Sequence, residues 1–304
     1  MNTCILITTC EKYLDLATIT IDLIHQRWKN HPPIFVCGVS SCSSEYVDVL
    51  YFGGDPKDWI GMVETASLQL LKLGFHKTYL ILDDHPPLDI CNDEHLNYTL
   101  PSLMDTLDAA YIGLYGWDQS TFSKGTIMSS TFYQLQRQDQ AFLWRYSLHP
   151  ALWRLECLLD ISRTLLAENQ DLANRSIWNF ERRSGSAEIG TAISKWEGRS
   201  YRIFGLGMLG KKNNTLRRLI RHFFFMFTNG VLVLVKNIFG LGVQEKLSNI
   251  IMAERLFFDG PYPLYWSGVM QKGKINKQFK KFMIWRRRSR ELFLFQNTLI
   301  IELD

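Results

Sequence analysis

The first third of the chain alternates between short apolar runs and longer stretches in which apolar residues recur at helical spacing. The short runs are rich in β-branched and aromatic residues, as buried strands are, and they occupy residues 5–9, 34–39, 47–51 and 78–82. The helical pattern covers 14–28 and 60–73. Strands that alternate with helices predict an α/β fold, in which helices cover both faces of a mostly parallel sheet through right-handed crossovers.

The run at 78–82 leads directly into Asp83, Asp84 and His85. In open α/β folds, ligands bind at the carboxyl edge of the sheet, which is where a strand of this kind ends. Two adjacent carboxylates repel each other, so a divalent cation that carries a diphosphate is a natural partner for them. The alternative is that both acids form a turn, or cap a helix, ahead of the two prolines that follow.

Two later segments carry an isolated imidazole and an isolated carboxylate. His149 precedes a predicted helix over 151–159, and a lone histidine in such a loop is more often structural than catalytic. Glu181 lies among aromatic residues, which disfavour a charged carboxylate and raise its basicity toward that of a general base. A salt bridge from Glu181 to one of the two arginines that follow it is the competing interpretation.

Charge is distributed unevenly along the 304 residues. Residues 195–304 contain 20 Lys and Arg against 7 Asp and Glu, a balance of +13, whereas residues 1–194 contain 14 against 23, a balance of −9, and the two sum to the net +4. A basic C-terminal part favours an anionic partner, which could be nucleic acid, a phosphorylated substrate or an acidic membrane surface. The six cysteines show no CxxC pair, so they indicate neither a zinc site nor a disulfide scaffold and fit a cytosolic compartment.

Two apolar runs in the basic part, Phe223–Phe227 and Val231–Val235, are each far shorter than the ~20 residues that span a bilayer, and a Thr-Asn-Gly sequence separates them. Basic residues beside a Phe-rich run are typical of a segment that lies on an anionic membrane surface. A second basic cluster adds to this pattern at Lys277, Lys280, Lys281, Arg286, Arg287, Arg288 and Arg290. The alternative is a buried helical hairpin, with the basic cluster on a solvated face.

Several segments together resemble a bacterial glycosyltransferase of the GT-A fold, of the type that assembles polysaccharides. These segments are residues 5–13, 58–61, 80–85, 146–153 and 176–181. The resemblance implies a Rossmann-like, nucleotide-sugar-binding catalytic domain over residues 1–200, followed by a basic and partly helical C-terminal extension over 201–304. The last two segments are similar to acceptor-side segments of that family, and the final one matches a W-x-F-E pattern.

The resemblance also implies roles for individual residues. In that family, the loop after the first strand contacts the nucleotide, and an acidic motif of the DxD type holds a metal ion and the ribose-diphosphate. The implied nucleotide-sugar contacts are Thr8, Thr9, Cys10, Glu11, Tyr13 and Asp83. The implied ligands of a divalent cation, Mn²⁺ or Mg²⁺, are Asp83, Asp84 and His85, although the motif departs from the family pattern at its third position, where His85 stands in place of an acid. Thr and Glu in the loop at 8–11 are also ordinary capping residues for the helix that follows.

These features predict an enzyme of the hexosyltransferase type, which moves a sugar from a nucleotide-sugar donor to a hydroxyl group of a glycan or lipid-linked acceptor. Glu181 would take the proton of that hydroxyl if the anomeric configuration inverts. His149, in a segment that resembles the acceptor side of that family, is a second catalytic candidate. Lys272 and Lys274 lie on either side of Gly273, and Lys272 or Lys274 could reach over the diphosphate as part of a lid, although a turn with solvated lysines explains the segment equally well.

Two other classes of function are open. A nucleotidyltransferase or sugar-phosphate enzyme would normally carry a glycine-rich phosphate loop after the first strand, and residues 8–13 contain no glycine. A nucleic-acid-binding protein would explain the basic cluster, but it would leave the acids at the sheet edge unused, and no recognised binding motif is present. We therefore expect a cytoplasmic enzyme at the inner face of the cell membrane. Its expected partners are a nucleotide sugar, an acceptor and anionic lipid, with no nucleic acid.

Overall fold

The computed structural model describes residues 2–41, 49–115, 122–129, 134–138, 146–168, 171–184, 194–204, 231, 234–235, 237–240, 243, 257–258, 260–271, 273–285 and 295. Strands and helices alternate through the described N-terminal residues, and the strands form one large sheet with helices packed on both of its faces. This arrangement confirms the predicted α/β class.

The strands of the main sheet are β1 (Thr3–Thr8), β2 (Ile34–Cys37), β3 (Val49–Gly53), β4 (Lys77–Leu82), β5 (Tyr111–Gly113), β6 (Phe122–Ser129), β7 (Gln134–Gln138), β8 (Ala151–Arg154) and β9 (Ser200–Phe204). Two short antiparallel pairs follow, β10 (Phe257–Phe258) with β11 (Leu264–Tyr265), and β12 (Met270–Gln271) with β13 (Lys274–Ile275). The helices are α1 (Leu14–Arg27), α2 (Trp59–Lys72), α3 (Leu100–Thr106), α4 (Leu155–Glu168), α5 (Ile177–Arg183) and α6 (Lys277–Trp285).

The described strands of the main sheet have the order β3-β2-β1-β4-β8-β5-β9-β7-β6. β3, β2, β1 and β4 run parallel, and Thr8 at the end of β1 lies beside both Cys37 of β2 and Leu82 of β4. Thr9 and Asp83 therefore follow their strands at the same edge of the sheet. β8 runs antiparallel between β4 and β5, so the loop that precedes β8 reaches this edge as well.

Alternate residues of β1 and β4 pack on opposite faces of the sheet. Leu6 and Leu80 lie in one cluster with residues of α2 and α4, whereas Ile7 and Ile81 lie in another with residues of α1 and α3. Burial on both faces explains why these strands are almost uninterrupted apolar runs. Each fully buried aliphatic side chain of this kind contributes about 1.5–3 kcal/mol, so the strands that carry the candidate site are firmly fixed.

The predicted helix over 151–159 is wrong at its start. Ala151–Arg154 is the strand β8, and α4 begins only at Leu155. The first three residues of β8 are buried because the strand lies inside the sheet, between β4 and β5. Periodicity alone does not distinguish a short apolar run that is buried on both faces from the start of a buried helix.

Part of the basic C-terminal extension packs on the α/β body. Phe282 and Met283 of α6 lie in one apolar cluster with Leu16 and Leu23 of α1. β9, which begins at Ser200, pairs with β5 and β7 and so belongs to the main sheet. The domain boundary at residue 200 stays a prediction, but the described chain on either side of it contributes to shared structure.

The segments on which the membrane hypothesis depends are described only in part. The Phe-rich run at 223–227 and the four arginines of the second basic cluster lie outside the described residues, as do Leu232 and Val233 of the run at 231–235. Lys277, Lys280 and Lys281 are exposed on α6. No helix among the described residues is long and apolar enough to cross a membrane.

Candidate functional site

Asp83 is fixed at the carboxyl edge of the sheet by residues of β1 and α1. The Thr9 hydroxyl donates a hydrogen bond of 2.7 Å to Asp83 Oδ2, and the Asp83 amide donates to the Thr8 carbonyl over 3.3 Å. From α1, the Thr20 hydroxyl donates to the Asp83 carbonyl over 2.5 Å. Thr9 therefore orients the carboxylate. No side chain caps the N-terminus of the 3-10 turn Glu11–Tyr13 or of α1, which removes the capping interpretation of Thr9.

The two adjacent carboxylates repel each other in a partly buried position. Burial, followed by the charge of Asp84, raises the pKa of Asp83 well above its ordinary value. Burial alone would lower the pKa of His85, but the charge and hydrogen bond of Asp84 act in the opposite direction, and the net shift is upward. A buried carboxylate that resists ionisation gains from a nearby cation, because the cation stabilises its charged form.

The C-terminal extension covers this acidic edge through hydrogen bonds. His85 Nδ1 lies 2.6 Å from Asp84 Oδ1, and His85 Nε2 lies 3.3 Å from the carbonyl oxygen of Trp266. The Tyr262 hydroxyl donates to the His85 carbonyl over 2.9 Å, and the Val269 amide donates to the Asp84 carbonyl over 2.8 Å. Residues 262–269 are therefore one wall of the candidate site, a feature that the sequence analysis did not identify.

Gly268 lies directly against Asp84 in this wall. Its φ angle is +71°, and a Cβ atom built on it would lie 2.2 Å from Asp84 Oδ2. Both the backbone conformation and the lack of space favour glycine at this position.

The second carboxylate of the site, Glu181, lies on α5 and is held by the loop before β8. The Ser147 hydroxyl donates to Glu181 Oε1 over 2.8 Å, and the Leu148 amide donates to the same oxygen over 3.2 Å. The predicted alternative was a salt bridge to the following arginines, but Arg183 pairs with Glu168 at 2.7 Å instead. The Glu181 side chain keeps 13% of its surface exposed, so it remains accessible from solvent.

His149 connects the two carboxylate sites. Its Nε2 lies 2.8 Å from the Trp266 carbonyl oxygen that His85 also contacts, and its ring stacks on the Trp266 indole at 5.3 Å between centroids. Its Nδ1 lies 2.7 Å from Ser147 Oγ and 3.1 Å from the Tyr115 hydroxyl. Burial, with the neighbouring charges of His85 and Arg202, lowers the pKa of His149 well below its ordinary value, so the ring is neutral at neutral pH.

The other predicted nucleotide contacts lie along the loop after β1. Thr8 and Thr9 are buried, Cys10 and Tyr13 are half-buried, and Glu11 is exposed. Burial, with the charge of Asp83, raises the pKa of the Cys10 thiol. Lys272 lies outside the described residues. The next residue, Gly273, has the Lys12 ammonium and the Tyr13 hydroxyl near its Cβ position, at 3.6 Å and 3.9 Å.

The acidic motif suits a divalent cation in part. Asp83 and Asp84 supply hard oxygen ligands, and Mg²⁺ is commonly held by one or two carboxylates together with substrate phosphates and water. In the described conformation both ring nitrogens of His85 contact other groups, so metal binding by His85 would require one of these contacts to open. No cluster of three or more potential ligands from His, Cys, Asp and Glu occurs among the described residues.

Sequence reasoning missed the residues that connect the predicted ones. Thr20, Tyr115, Ser147, Trp266 and Gly268 all contact a predicted site residue or lie against one. Ser147 had a usable signal, because it lies two positions from His149 within a segment already identified. Thr20 and Tyr115 had none, since Thr20 is an ordinary residue of α1 and Tyr115 lies in the loop just after β5.

No protein-family model matches the chain, and no curated protein matches its sequence. Among solved structures, the mannose-1-phosphate geranyltransferase of Thermus thermophilus matches with 12% identity over 67% of this chain and 74% of that chain, at a TM-score of 0.34. The 4-diphosphocytidyl-2C-methyl-D-erythritol synthase of Anaerococcus prevotii matches with 15% identity over 60% and 84%, at a TM-score of 0.32. The galactosyltransferase LgtC, in complex with donor and acceptor sugar analogues, matches with 11% identity over 69% and 90%, at a TM-score of 0.34.

Proposed function

We propose that this protein is a glycosyltransferase that moves a sugar from a nucleotide-sugar donor to a hydroxyl group of a glycan or lipid-linked acceptor. One observation carries the proposal. The acid pair at the end of β4 and the carboxylate of Glu181 are joined through His85 and His149, which both contact the carbonyl oxygen of Trp266. Sugar transfer needs a site for the diphosphate leaving group and a base for the attacking hydroxyl, and this arrangement offers both within one edge of the sheet.

On the donor side, Asp83 and Asp84 would hold Mn²⁺ or Mg²⁺ together with the diphosphate oxygens. Such an ion, when bound, neutralises the charge that develops on the diphosphate as the glycosidic bond breaks. The loop at residues 8–13 would contact the nucleotide, because it leaves β1 directly beside Asp83. The lysine at position 272 would add positive charge over the diphosphate. The supporting observation is that Gly273 lies against the loop at residues 8–13, with Lys12 Nζ 3.6 Å from its Cβ position.

On the acceptor side, Glu181 would act as the general base of an inverting transfer. Its carboxylate is accessible, and its contacts with Ser147 and Leu148 hold it in one orientation. An accessible, oriented carboxylate is what proton abstraction from a hydroxyl group requires.

The same carboxylate argues against the nearest enzymatic alternative. A nucleotidyltransferase that acts on a sugar phosphate uses a phosphate oxygen as its nucleophile, which is already anionic at neutral pH and needs no base. The Glu181 arrangement would have no role in such a reaction. A nucleic-acid-binding function would leave both carboxylate sites without a role, because carboxylates repel the phosphate backbone.

A direct assay tests the proposal. Purified protein is incubated with a panel of nucleotide sugars, with and without Mn²⁺ or Mg²⁺, and release of the nucleoside diphosphate is measured. We expect turnover of at least one nucleotide sugar, and NMR of the transfer product should show an inverted anomeric centre. Absence of turnover across the panel, beside activity on a nucleoside triphosphate and a sugar phosphate, would favour the nucleotidyltransferase.

We further propose that the protein works in the cytoplasm at the inner face of the membrane, with its C-terminal part on anionic lipid. The supporting observation is the basic excess after residue 194, of which Lys277, Lys280 and Lys281 are exposed on α6. Vesicles with and without acidic lipid provide the test. Binding should require the acidic lipid and should weaken as salt rises, and a protein that ignores acidic vesicles would contradict the hypothesis.

A further inference from the structure

The carboxylate of Glu181 is held through only one of its two oxygens. Oε1 accepts hydrogen bonds from the Ser147 hydroxyl at 2.8 Å and from the Leu148 amide at 3.2 Å. Oε2 accepts no hydrogen bond from the described residues. The two oxygens are therefore distinct: one is anchored to the loop before β8, and the other is available to a ligand.

Ser147 is itself fixed on several sides. It is 2% exposed, and its carbonyl oxygen accepts a hydrogen bond of 3.1 Å from the Tyr111 hydroxyl of β5. The preceding carbonyl, of Tyr146, accepts from the Ser184 hydroxyl over 3.3 Å, which ties the loop to the end of α5. A hydroxyl on so rigid a backbone can define the position of the carboxylate that it contacts.

The Ser147 hydroxyl has one proton and two acceptors at nearly equal distances. Glu181 Oε1 lies 2.8 Å away, and His149 Nδ1 lies 2.7 Å away. His149 Nε2 faces the Trp266 carbonyl at 2.8 Å, so the proton of the neutral ring lies on Nε2 and Nδ1 can only accept. The Tyr115 hydroxyl, 3.1 Å from Nδ1, can supply the hydrogen bond to His149 while Ser147 donates to Glu181.

We propose that Ser147 is a positioning residue for the proposed transfer: it holds Oε1 of Glu181 so that Oε2 takes the proton of the acceptor hydroxyl. This inference rests on the proposed function. In the step, the acceptor O–H bond breaks as the Oε2–H bond forms, and the acceptor oxygen bonds to the anomeric carbon. The bond between that carbon and the diphosphate oxygen breaks, and its electron pair leaves with the diphosphate. As Glu181 becomes neutral, the Ser147 proton can turn from Oε1 to His149 Nδ1.

The same geometry assigns a different role to His149 from the catalytic one that the sequence suggested. Both of its ring nitrogens contact protein groups, and its ring is stacked on Trp266. His149 therefore acts through Ser147, because its Nδ1 is the second group that can accept a hydrogen bond from the Ser147 hydroxyl. It does not itself contact the acceptor substrate.

A double-mutant cycle with Ser147→Ala and Glu181→Gln tests the proposal. Ser147→Ala should lower kcat about tenfold to hundredfold, the worth of one hydrogen bond to a charged group, while the KM of the donor changes little. In the Glu181→Gln background the same change should lower kcat by no more than about twofold, because residues that act through one another are not additive. Ser162→Ala, at a fully buried serine on α4, is the matched control and should leave kcat unchanged in both backgrounds.

The outcomes separate the inference from the function on which it rests. The positioning role would be overturned if the two substitutions lowered kcat independently, so that their factors multiply in the double variant. A wild-type kcat for Ser147→Ala would overturn it as well, and in both cases the transferase activity stands. Absence of sugar transfer by the wild-type protein would overturn the proposed function and the inference with it. Melting curves run beside the assays, and if the alanine variant unfolds, Ser147→Cys keeps the side-chain volume with a weaker donor and enters the same cycle.

Discussion

The two carboxylate sites of this protein are built in opposite ways. Asp83 and Asp84 are neighbours in sequence at the end of one strand, and burial together with the charge of Asp84 raises the pKa of Asp83. Glu181 comes from a distant helix, and its Oε1 already accepts hydrogen bonds from a hydroxyl and a backbone amide of another loop. Among the described residues no lysine or arginine pairs with these acids, and His85 is their imidazole partner. A bound cation would therefore complete the first site, whereas the second is organised before any ligand binds.

This difference predicts that substitutions at the two sites change different kinetic constants. A substitution at the Glu181 site should slow the chemical step, because this carboxylate is already in place when the substrate arrives. A change at the acid pair should affect donor and cation binding, because those ligands complete the site. Kinetic constants separate these two kinds of loss.

The largest effect is expected for Glu181→Gln. The amide keeps the shape of the side chain but cannot accept the acceptor's proton, so kcat should fall by about 10²–10⁴-fold, with little change in the KM of the donor. Steady-state kinetics with a fixed acceptor provide the measurement. Glu156→Gln, at an exposed position on α4, is the matched control. A kcat within a few-fold of the wild type would show that another group takes the proton.

A smaller loss, mainly in binding, is expected for Asp84→Asn. Removing one charged ligand should weaken donor affinity about tenfold to hundredfold. The thermal stabilisation that Mn²⁺ gives the wild-type protein should be reduced in parallel, since the variant offers one carboxylate in place of two. Calorimetry of donor binding and melting curves with and without Mn²⁺ provide the measurements, with Asp15→Asn on the exposed side of α1 as the control. Unchanged donor affinity would remove the acid pair from the donor site.

The smallest effect is expected for Gly268→Ala, which changes neither carboxylate. The new Cβ would lie 2.2 Å from Asp84 Oδ2, so the Asp84 side chain must move. Displacing it from its preferred geometry costs about 0.5–1.5 kcal/mol, which corresponds to roughly a twofold to tenfold loss in kcat/KM.

Gly74→Ala is a closely matched control for this change. Gly74 also has a positive φ, of +87°, but no atom lies within 4 Å of its Cβ position. Both variants should lose about 1–2 kcal/mol of stability from the backbone strain alone, whereas only Gly268→Ala should lose activity. Equal activity in the two variants would show that residues 262–269 do not form a wall of the working site.

The acid pair could be found from the sequence because its chemistry is local. An apolar run buried on both faces predicts a strand, and residues that follow a parallel strand must lie at the carboxyl edge of the sheet. The predicted helices at 14–28 and 60–73 agree closely with α1 and α2, since each has the apolar spacing of a helix packed on a sheet. Where a short run was buried on both faces, at 151–154, the same reasoning failed.

The sequence by itself determined which groups could do chemistry, namely the acids at 83–84, the imidazole at 149 and the carboxylate at 181. Only the tertiary structure decided that they belong together. The antiparallel insertion of β8 beside β4 brings His149 to the edge that carries Asp83, and the packing of the C-terminal extension places the Trp266 carbonyl between His85 and His149. Such contacts depend on burial and shape across more than a hundred residues of sequence. Local residue patterns do not predict these contacts. A buried polar group needs a hydrogen-bond partner, but the residues around it in the sequence do not identify that partner.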